Sequence, residues 1–299
     1  MYNTVISIYP RLKMNYEING NTIKIYGANG FCADKTFDCG QCFRFEKSED
    51  GAWEGIAFSH LISVKEDGDT ITLSLLDGAP ADERLISYLA LDRDYESFDR
   101  DILSCTQGDE TMKRAIETGK GIRIMRQEPF ETLISFIVSQ NNNIPRIKKI
   151  IARLCAAFGE EIHDRRGELV GYSFPTAKAL LSAGGERIRE CGTGFRDKYI
   201  YDAARAVECG EIDLYALREK STEEAIAALM KIKGVGPKVA ACVALFSLDC
   251  PDAFPIDVWV KRVMGKYYKE DFDYHSFGDY AGLAQQYLFY YERFLGGEG

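Results

Sequence analysis

Residues 229 to 261, LMKIKGVGPKVAACVALFSLDCPDAFPIDVWVK, constrain the local geometry more tightly than any other stretch of the chain. A helix opens near Ser221 or Thr222, both good N-caps, and carries Glu223 and Glu224 in its electropositive first turn. Ala225, Ile226, Leu229 and Met230 then recur at helical spacing. Gly234-Val235-Gly236 predicts a tight hairpin whose glycines permit positive φ and let the backbone come close to a ligand. Pro237 suits the first turn of a second helix, where its missing N–H would be unpaired anyway. That helix presents free amides to the hairpin, which makes a seat for a phosphate, and Lys238 lies one residue inside it. Phe254-Pro255-Ile256 reads as extended, and Asp257 stands as the N-cap of a third helix beginning Val258-Trp259-Val260.

An amine and a carboxylate, nineteen positions apart, thus flank a backbone anion site. A structural hairpin, an exposed lysine and a capped helix would account for each feature singly. Their combination points to chemistry on a sugar–phosphate chain.

The stretch resembles the helix–hairpin–helix, Gly/Pro loop and Asp signature of the endonuclease III superfamily of DNA glycosylases. Pairing of a hairpin lysine with the later aspartate resembles the bifunctional members, and Cys242 resembles the 8-oxoguanine DNA glycosylase branch. The resemblance implies an α+β fold: an antiparallel β-sheet domain over residues 1–110 and a helical glycosylase region over 111–299, with the helix–hairpin–helix at 222–249. Endonuclease III holds an iron–sulfur cluster on cysteines after its catalytic helix. This chain has no cysteine after Cys250, so neither that cluster nor any other cofactor or metal is expected.

Residues 1 to about 105 read mostly as strands: Asn21–Tyr26, Gln41–Phe45 and Leu61–Val64 alternate, and Thr70–Leu75 follows the Asp67-Gly68 turn. Asp50-Gly51 is a second hairpin-type dipeptide. Helices are expected over 82–89 and 98–105. Within the sheet, Gly40-Gln41-Cys42-Phe43-Arg44 is similar to the family's Gly-Gln-x-Phe-Arg stretch, whose glycine carbonyl recognises the damaged base. The chemistry fits. Guanine N7 is an acceptor, whereas 8-oxoguanine carries N7–H, so a fixed Gly40 carbonyl would bond the lesion and repel the normal base. A buried acceptor left unpaired by guanine costs about 1–3 kcal/mol.

From Arg126 onward the pattern is helical. Pro129 opens a helix with the apolar stripe Phe130, Leu133, Ile134, Ile137 and Val138, and Asn143 caps the next, Ile144 to Phe158. Asn141-Asn142-Asn143-Ile144 with Arg146 resembles the family's Asn-Asn-Asn-Ile-x-Arg segment. By that match Asn141 fills the space of the extruded base and Arg146 reads the opposite cytosine. Phe195-Arg196 resembles the aromatic–arginine pair, a wedge beside the lesion and a second contact to cytosine, with phenylalanine where eukaryotic members usually show tyrosine. In the last helix Tyr280, Leu283, Ala284, Tyr287 and Leu288 share a face that reads as core. Gln285 and Phe289, four apart, match a glutamine that meets the Watson–Crick edge and a ring that stacks on the purine, sandwiching it against Cys242. Trp259 stands where many members have a phosphate-binding histidine; its indole N–H can still donate.

Composition limits the alternatives. Hydrophobic residues make up 46% and charged residues 28%, as in soluble globular proteins, and no apolar run reaches the roughly 18 residues of a membrane span. Met1 to Lys13 lack the layout of a signal peptide, and nine cysteines, odd in number, suggest neither a zinc ribbon nor a disulfide frame, so a reducing intracellular (cytoplasmic) setting is expected. A net charge of −9 and a pI of about 5.1 argue against nucleic acid. However, residues 113–153 hold nine Lys/Arg against three Glu, and phosphates meet local surface rather than the total. His60, His163 and His275 lie outside every motif.

The expectation is a monomeric bifunctional glycosylase acting on duplex DNA with 8-oxoguanine opposite cytosine. Lys238 and Asp257 form its catalytic pair; Gly40, Cys242, Gln285 and Phe289 bind the base; Asn141, Arg146, Phe195, Arg196, Gly234, Val235, Gly236 and Trp259 hold the DNA. Two rivals stand beside it. The same fold could take an alkylated purine or adenine, although adenine glycosylases lack the hairpin lysine. The hairpin could also be a non-catalytic DNA clamp, although a clamp has no use for a carboxylate near phosphate.

Overall fold

The computed structural model describes residues 14–28, 30–268 and 272–295. The signal-peptide reading of the first thirteen residues lies outside them. Among the described residues no helix is long and apolar enough to cross a membrane.

Six antiparallel strands form the N-terminal sheet: β1 (Asn15–Asn19), β2 (Thr22–Tyr26), β3 (Phe45–Lys47), β4 (Trp53–Ala57), β5 (His60–Asp67) and β6 (Thr70–Leu75), in the order β1-β2-β6-β5-β4-β3. The register puts Ile23 beside Leu73, Leu73 beside Val64 and Val64 beside Trp53, so one row of apolar side chains crosses four strands. Full burial of each such aliphatic side chain is worth about 1.5–3 kcal/mol. The short helices Ala33–Phe37 and Arg84–Tyr88 cover this face.

Two sequence expectations fail here. Gln41–Phe45 is not a strand; pairing begins only at Phe45, because the bonds of the preceding residues run to the helical part of the chain. The strands β1 and β4 were not expected, since β1 is polar and mostly exposed, and Gly55 breaks the alternation of β4.

The helices surround a second apolar core. Pro129–Ser139 and Ile144–Phe158 follow the predicted bounds, with the Asn143 side chain accepting from the Arg146 amide. Ser221 and Glu224 form a full capping box ahead of Thr222–Leu229, and the hairpin leads into Pro237–Ser247. The helix Ala281–Leu295 packs against Glu110–Gly119, which the sequence reading missed. Its placement is tight: the Gly282 amide donates to the Pro251 carbonyl at 2.8 Å, and a Cβ there would meet Leu245 Cδ1 at 2.3 Å.

The basic run is only partly surface. Arg123 is buried over the Tyr95 ring, and Arg126 pairs with Asp92 and Asp249. Lys113, Arg114, Lys120, Arg146, Lys149 and Arg153 remain exposed.

Candidate active site

One cavity, about 340 Å³ of empty space including its mouth, is lined by Cys39, Gly40, Phe136, Lys238, Cys242, Phe246, Pro255, Asp257, Gln285, Gln286 and Phe289. The structure therefore brings Lys238, Asp257, Gly40, Cys242, Gln285 and Phe289 together from four distant parts of the chain. Helical spacing explains how one helix supplies three of the lining side chains: Lys238, Cys242 and Phe246 are successive i, i+4 positions of Pro237–Ser247.

Lys238 Nζ donates to Ser139 Oγ at 3.2 Å and lies 5.1 Å from the centre of the Phe136 ring. Asp257 caps its helix: Oδ1 accepts from the amides of Trp259 at 2.9 Å and Val260 at 2.8 Å, and Oδ2 has no protein partner among the described residues. Burial pushes the Cys242 thiol up to about 11, against the opposing pull of Lys238. It is therefore a neutral, polarisable wall.

Gly40 has φ +79°, and a Cβ there would lie 3.8 Å from Phe289 Cζ, so the ring closes directly over the glycine. Its neighbours hold it. Gln41 is buried and uses both ends of its amide: Nε2 donates to Thr36 O at 2.8 Å and Arg123 O at 2.7 Å, and Oε1 accepts from Met125 N at 2.9 Å. Gln127 Nε2 donates to the Gln41 carbonyl at 2.7 Å. Arg44 pairs with Glu131 at 3.2 Å and donates to Tyr172 O at 2.5 Å. The loop before β3 is thus pinned by the segment 123–127 and the helix Pro129–Ser139, which fixes the direction of its carbonyl groups.

Cys39 and Cys42, either side of Gly40 and Gln41, stand at CxxC spacing, a pair the sequence analysis did not single out. Both are buried free thiols, and burial pushes Cys39 up to about 12. Among the described residues no group of three or more His, Cys, Asp or Glu could hold a metal.

The remaining predicted residues lie outside the cavity, on loops and the first turns of helices. Asn141 is exposed with φ +47°, and Arg146 is exposed one turn into the next helix. Phe195 is 49% exposed, with the Arg196 guanidinium 4.5 Å from its ring. Arg196 itself is buried. Its Nε and Nη2 donate to Gln140 O, Nη2 to Asn141 O at 3.0 Å and Nη1 to Thr193 O at 3.1 Å, which leaves one Nη1–H uncommitted. Gln140, missed from sequence, donates to the Gly234 carbonyl at 3.1 Å and so ties the asparagine loop to the hairpin.

The two hairpin glycines differ in conformation. Only Gly234 has positive φ, +86°, and a Cβ there would strike Tyr199 Cγ at 2.2 Å; Gly236 is extended and free of close neighbours. Val235 is buried, and its amide closes the turn on Ile232 O at 3.0 Å. The open amides are those of Lys238 and Val239 at the helix start. Trp259 is half-buried, with Arg262 4.9 Å from its ring.

Signals for the missed residues were faint. Phe136 and Ser139 lie one helical turn apart just before the asparagines, and Gln286 is a second glutamine next to Gln285 in the last helix.

Comparison with known proteins adds to this geometry. The family described as 8-oxoguanine DNA glycosylase, N-terminal domain, matches residues 23–133, and the HhH-GPD superfamily base excision DNA repair protein family matches residues 134–273. The N-glycosylase/DNA lyase OGG1 of Arabidopsis thaliana is 32% identical over 289 residues, covering 85% of this chain and 75% of that protein. The structure of MBOgg1 in complex with a low affinity DNA ligand superposes with a TM-score of 0.87 at 42% identity, over 95% of this chain and 100% of that one. The Clostridium acetobutylicum 8-oxoguanine glycosylase/lyase, in complex with double-stranded DNA containing cytosine opposite 8-oxoG, gives 0.84 at 34% identity, over 95% and 98%.

Proposed function

The chain belongs to the HhH-GPD superfamily of base excision DNA repair proteins, in its 8-oxoguanine DNA glycosylase branch, and from that premise we propose how its own residues carry the activity. It is a bifunctional N-glycosylase and DNA lyase of base excision repair that removes 8-oxoguanine. Its partner is DNA; we assign it duplex with 8-oxoguanine opposite cytosine, bound by a monomer. The sheet-bearing part, residues 1–110, presents Gly40, and the helical part, 111–299, supplies the chemistry.

The observation that carries this assignment is the single cavity shared by Lys238, Asp257, Gly40, Cys242, Gln285 and Phe289. A stacked base cannot be reached, so the nucleotide is turned out of the duplex into that cavity. The amides of Lys238 and Val239 seat a phosphate near the lesion. The purine lies between Phe289 and Cys242, with N7–H on the Gly40 carbonyl and its Watson–Crick edge on Gln285. Asn141 occupies the vacated place, Arg146 meets the cytosine, and Phe195 wedges beside the lesion. Arg196 holds the Asn141 loop through its carbonyls and offers its last Nη1–H to the cytosine. Trp259 donates its indole N–H to phosphate.

As the C1′–N9 bond lengthens, positive charge grows on the sugar and Asp257 Oδ2 stabilises it. The unprotonated Lys238 amine attacks C1′, the bond electrons leave with the base, and ring opening gives an imine. Only an amine gives this adduct, and it acidifies the 2′ position, so that loss of a 2′ proton expels the 3′ phosphate and cuts the strand.

Borohydride reduction during reaction with 8-oxoguanine duplex tests this. Wild-type protein is expected to be trapped covalently on the DNA, and Lys238→Gln to give no adduct. An adduct that survives Lys238→Gln would overturn the assignment of the nucleophile.

A further inference from the structure

Gln285 and Gln286 are consecutive in the helix Ala281–Leu295, yet both line the cavity, and they are 3% and 4% exposed. Gln286 Nε2 donates to Gln285 Oε1 at 2.8 Å. Gln286 Oε1 has no hydrogen-bond partner among the described residues, although it is buried. A buried carbonyl oxygen without a donor is unfavourable, and on a residue that lines a cavity it calls for a donor that arrives with the occupant. No motif or assigned role covers this residue.

Resting on the assignment of this cavity to the 8-oxoguanine base, we propose that Gln286 is a second specificity-determining residue, which reads the purine's Watson–Crick edge jointly with Gln285. The two amides are coupled. With Gln286 donating to Gln285 Oε1, the groups left for a ligand are the Gln285 Nε2 donor and the Gln286 Oε1 acceptor. 8-Oxoguanine presents the complement, an O6 acceptor beside the N1–H and N2–H donors. A half-turn of one carboxamide alone would set like ends against each other, oxygen to oxygen or N–H to N–H. Gln286 therefore keeps Gln285 from presenting its carbonyl to O6. The Gly40 carbonyl cannot make this distinction, because 8-oxoadenine also carries N7–H. Its Watson–Crick edge differs at positions 6 and 1, where donor and acceptor are exchanged, and at position 2, where a C–H replaces the amino group.

The test is single-turnover excision from duplexes carrying 8-oxoguanine or 8-oxoadenine. Wild-type protein is expected to prefer 8-oxoguanine. Gln286→Met removes both ends of the amide and frees Gln285 to turn; the ratio of the two rates is expected to fall about tenfold or more, chiefly through a slower reaction on 8-oxoguanine. Gln286→Glu keeps the shape but has no N–H, so Gln285 must turn its own N–H toward it; 8-oxoguanine excision is expected to fall further than with methionine. A merely structural role would lower both substrates alike, and that result in either variant, or an unchanged ratio, overturns the proposal. Affinity for duplex with a base-free tetrahydrofuran site reports whether each variant has folded; should methionine disrupt the fold, the glutamate variant carries the test. A wild-type protein that cannot be trapped on 8-oxoguanine DNA would sink the pocket assignment and the proposal with it, whereas normal trapping with an unchanged ratio sinks the proposal alone.

Discussion

The cavity and the exposed loops beside it are built on opposite plans. In the cavity the side chains are buried or half-buried and held: Gln41 uses both ends of its amide to pin Gly40, Asp257 is fixed by two backbone amides, and Cys242, Gln285 and Phe289 are each under one-tenth exposed. Outside it, Asn141, Arg146 and Phe195 are exposed. Ile256 and Val258, either side of Asp257, are exposed as well, at 41% and 68%. What is fixed and dry acts on charge that develops during reaction, where preorganised dipoles count most. What is exposed meets a polymer that must slide, bend and be released, and it gains only when DNA covers it. Changes in the cavity should therefore appear in the rate of bond breaking, and changes in the loops in affinity and its salt dependence.

After the loss of all trapping in Lys238→Gln, the largest effect expected is that of Asp257→Asn. An amide oxygen can still accept from the Trp259 and Val260 amides, so the cap and the fold are retained. Only the charge facing the sugar is lost. Single-turnover excision should fall by about 10²–10³-fold at unchanged melting temperature and unchanged affinity for abasic-analogue duplex. A matching loss of affinity would erase the division between the two regions.

Gly40→Ala should come next. At φ +79° an L-residue carries strain of about 1–2 kcal/mol, and the added methyl sits 3.8 Å from Phe289 Cζ, so space is available but the backbone must turn. Turning moves the carbonyl meant for N7–H. Excision of 8-oxoguanine should drop about tenfold, with discrimination against guanine reduced in the same assay. For the loops, Arg146→Ala should weaken binding to cytosine-opposed duplex by about tenfold and leave the maximal rate of bound complex unchanged. Titration at several salt concentrations sharpens the contrast, because the cavity variants should keep the wild-type salt slope.

How much of this was legible follows the same division by physical cause. Lys238 and Asp257 could be placed from local rules, because Pro237 at a helix start and an aspartate at a cap are decided within a few residues. The sheet was legible where alternation was unbroken, as in Thr70–Leu75, and lost where tertiary bonds decide, as at Gln41–Phe45. Gly40 was singled out by resemblance, whereas the reason it can act lies in Thr36, Arg123 and Met125, none of which any local rule connects to it. Ser139, Gln140 and Gln286 escaped for the same reason: their partners Lys238, Gly234 and the cavity are set by packing of separate helices.

The smallest effect expected is a reaction that fails to occur. Cys242 lines the cavity beside Lys238, and a thiol beside an amine invites the view that it is a reactive thiolate. Burial decides the contest instead. With its pKa pushed up to about 11, the thiolate fraction at pH 8 is about one in a thousand, and it rises only tenfold per pH unit. Cys105 and Cys209, by contrast, are exposed. Brief treatment with iodoacetamide near pH 8 should label Cys105 and Cys209 while Cys242 stays unmodified and excision activity is kept; peptide mass analysis after quenching reads both. Because the thiol is the favoured form, raising the pH toward 10 should bring Cys242 into reaction, with activity falling in step as the added group fills the space meant for the purine. Rapid labelling of Cys242 at pH 8 would mean that the lysine's field outweighs burial there, and the wall against which the base is stacked would be an anion rather than a neutral sulfur.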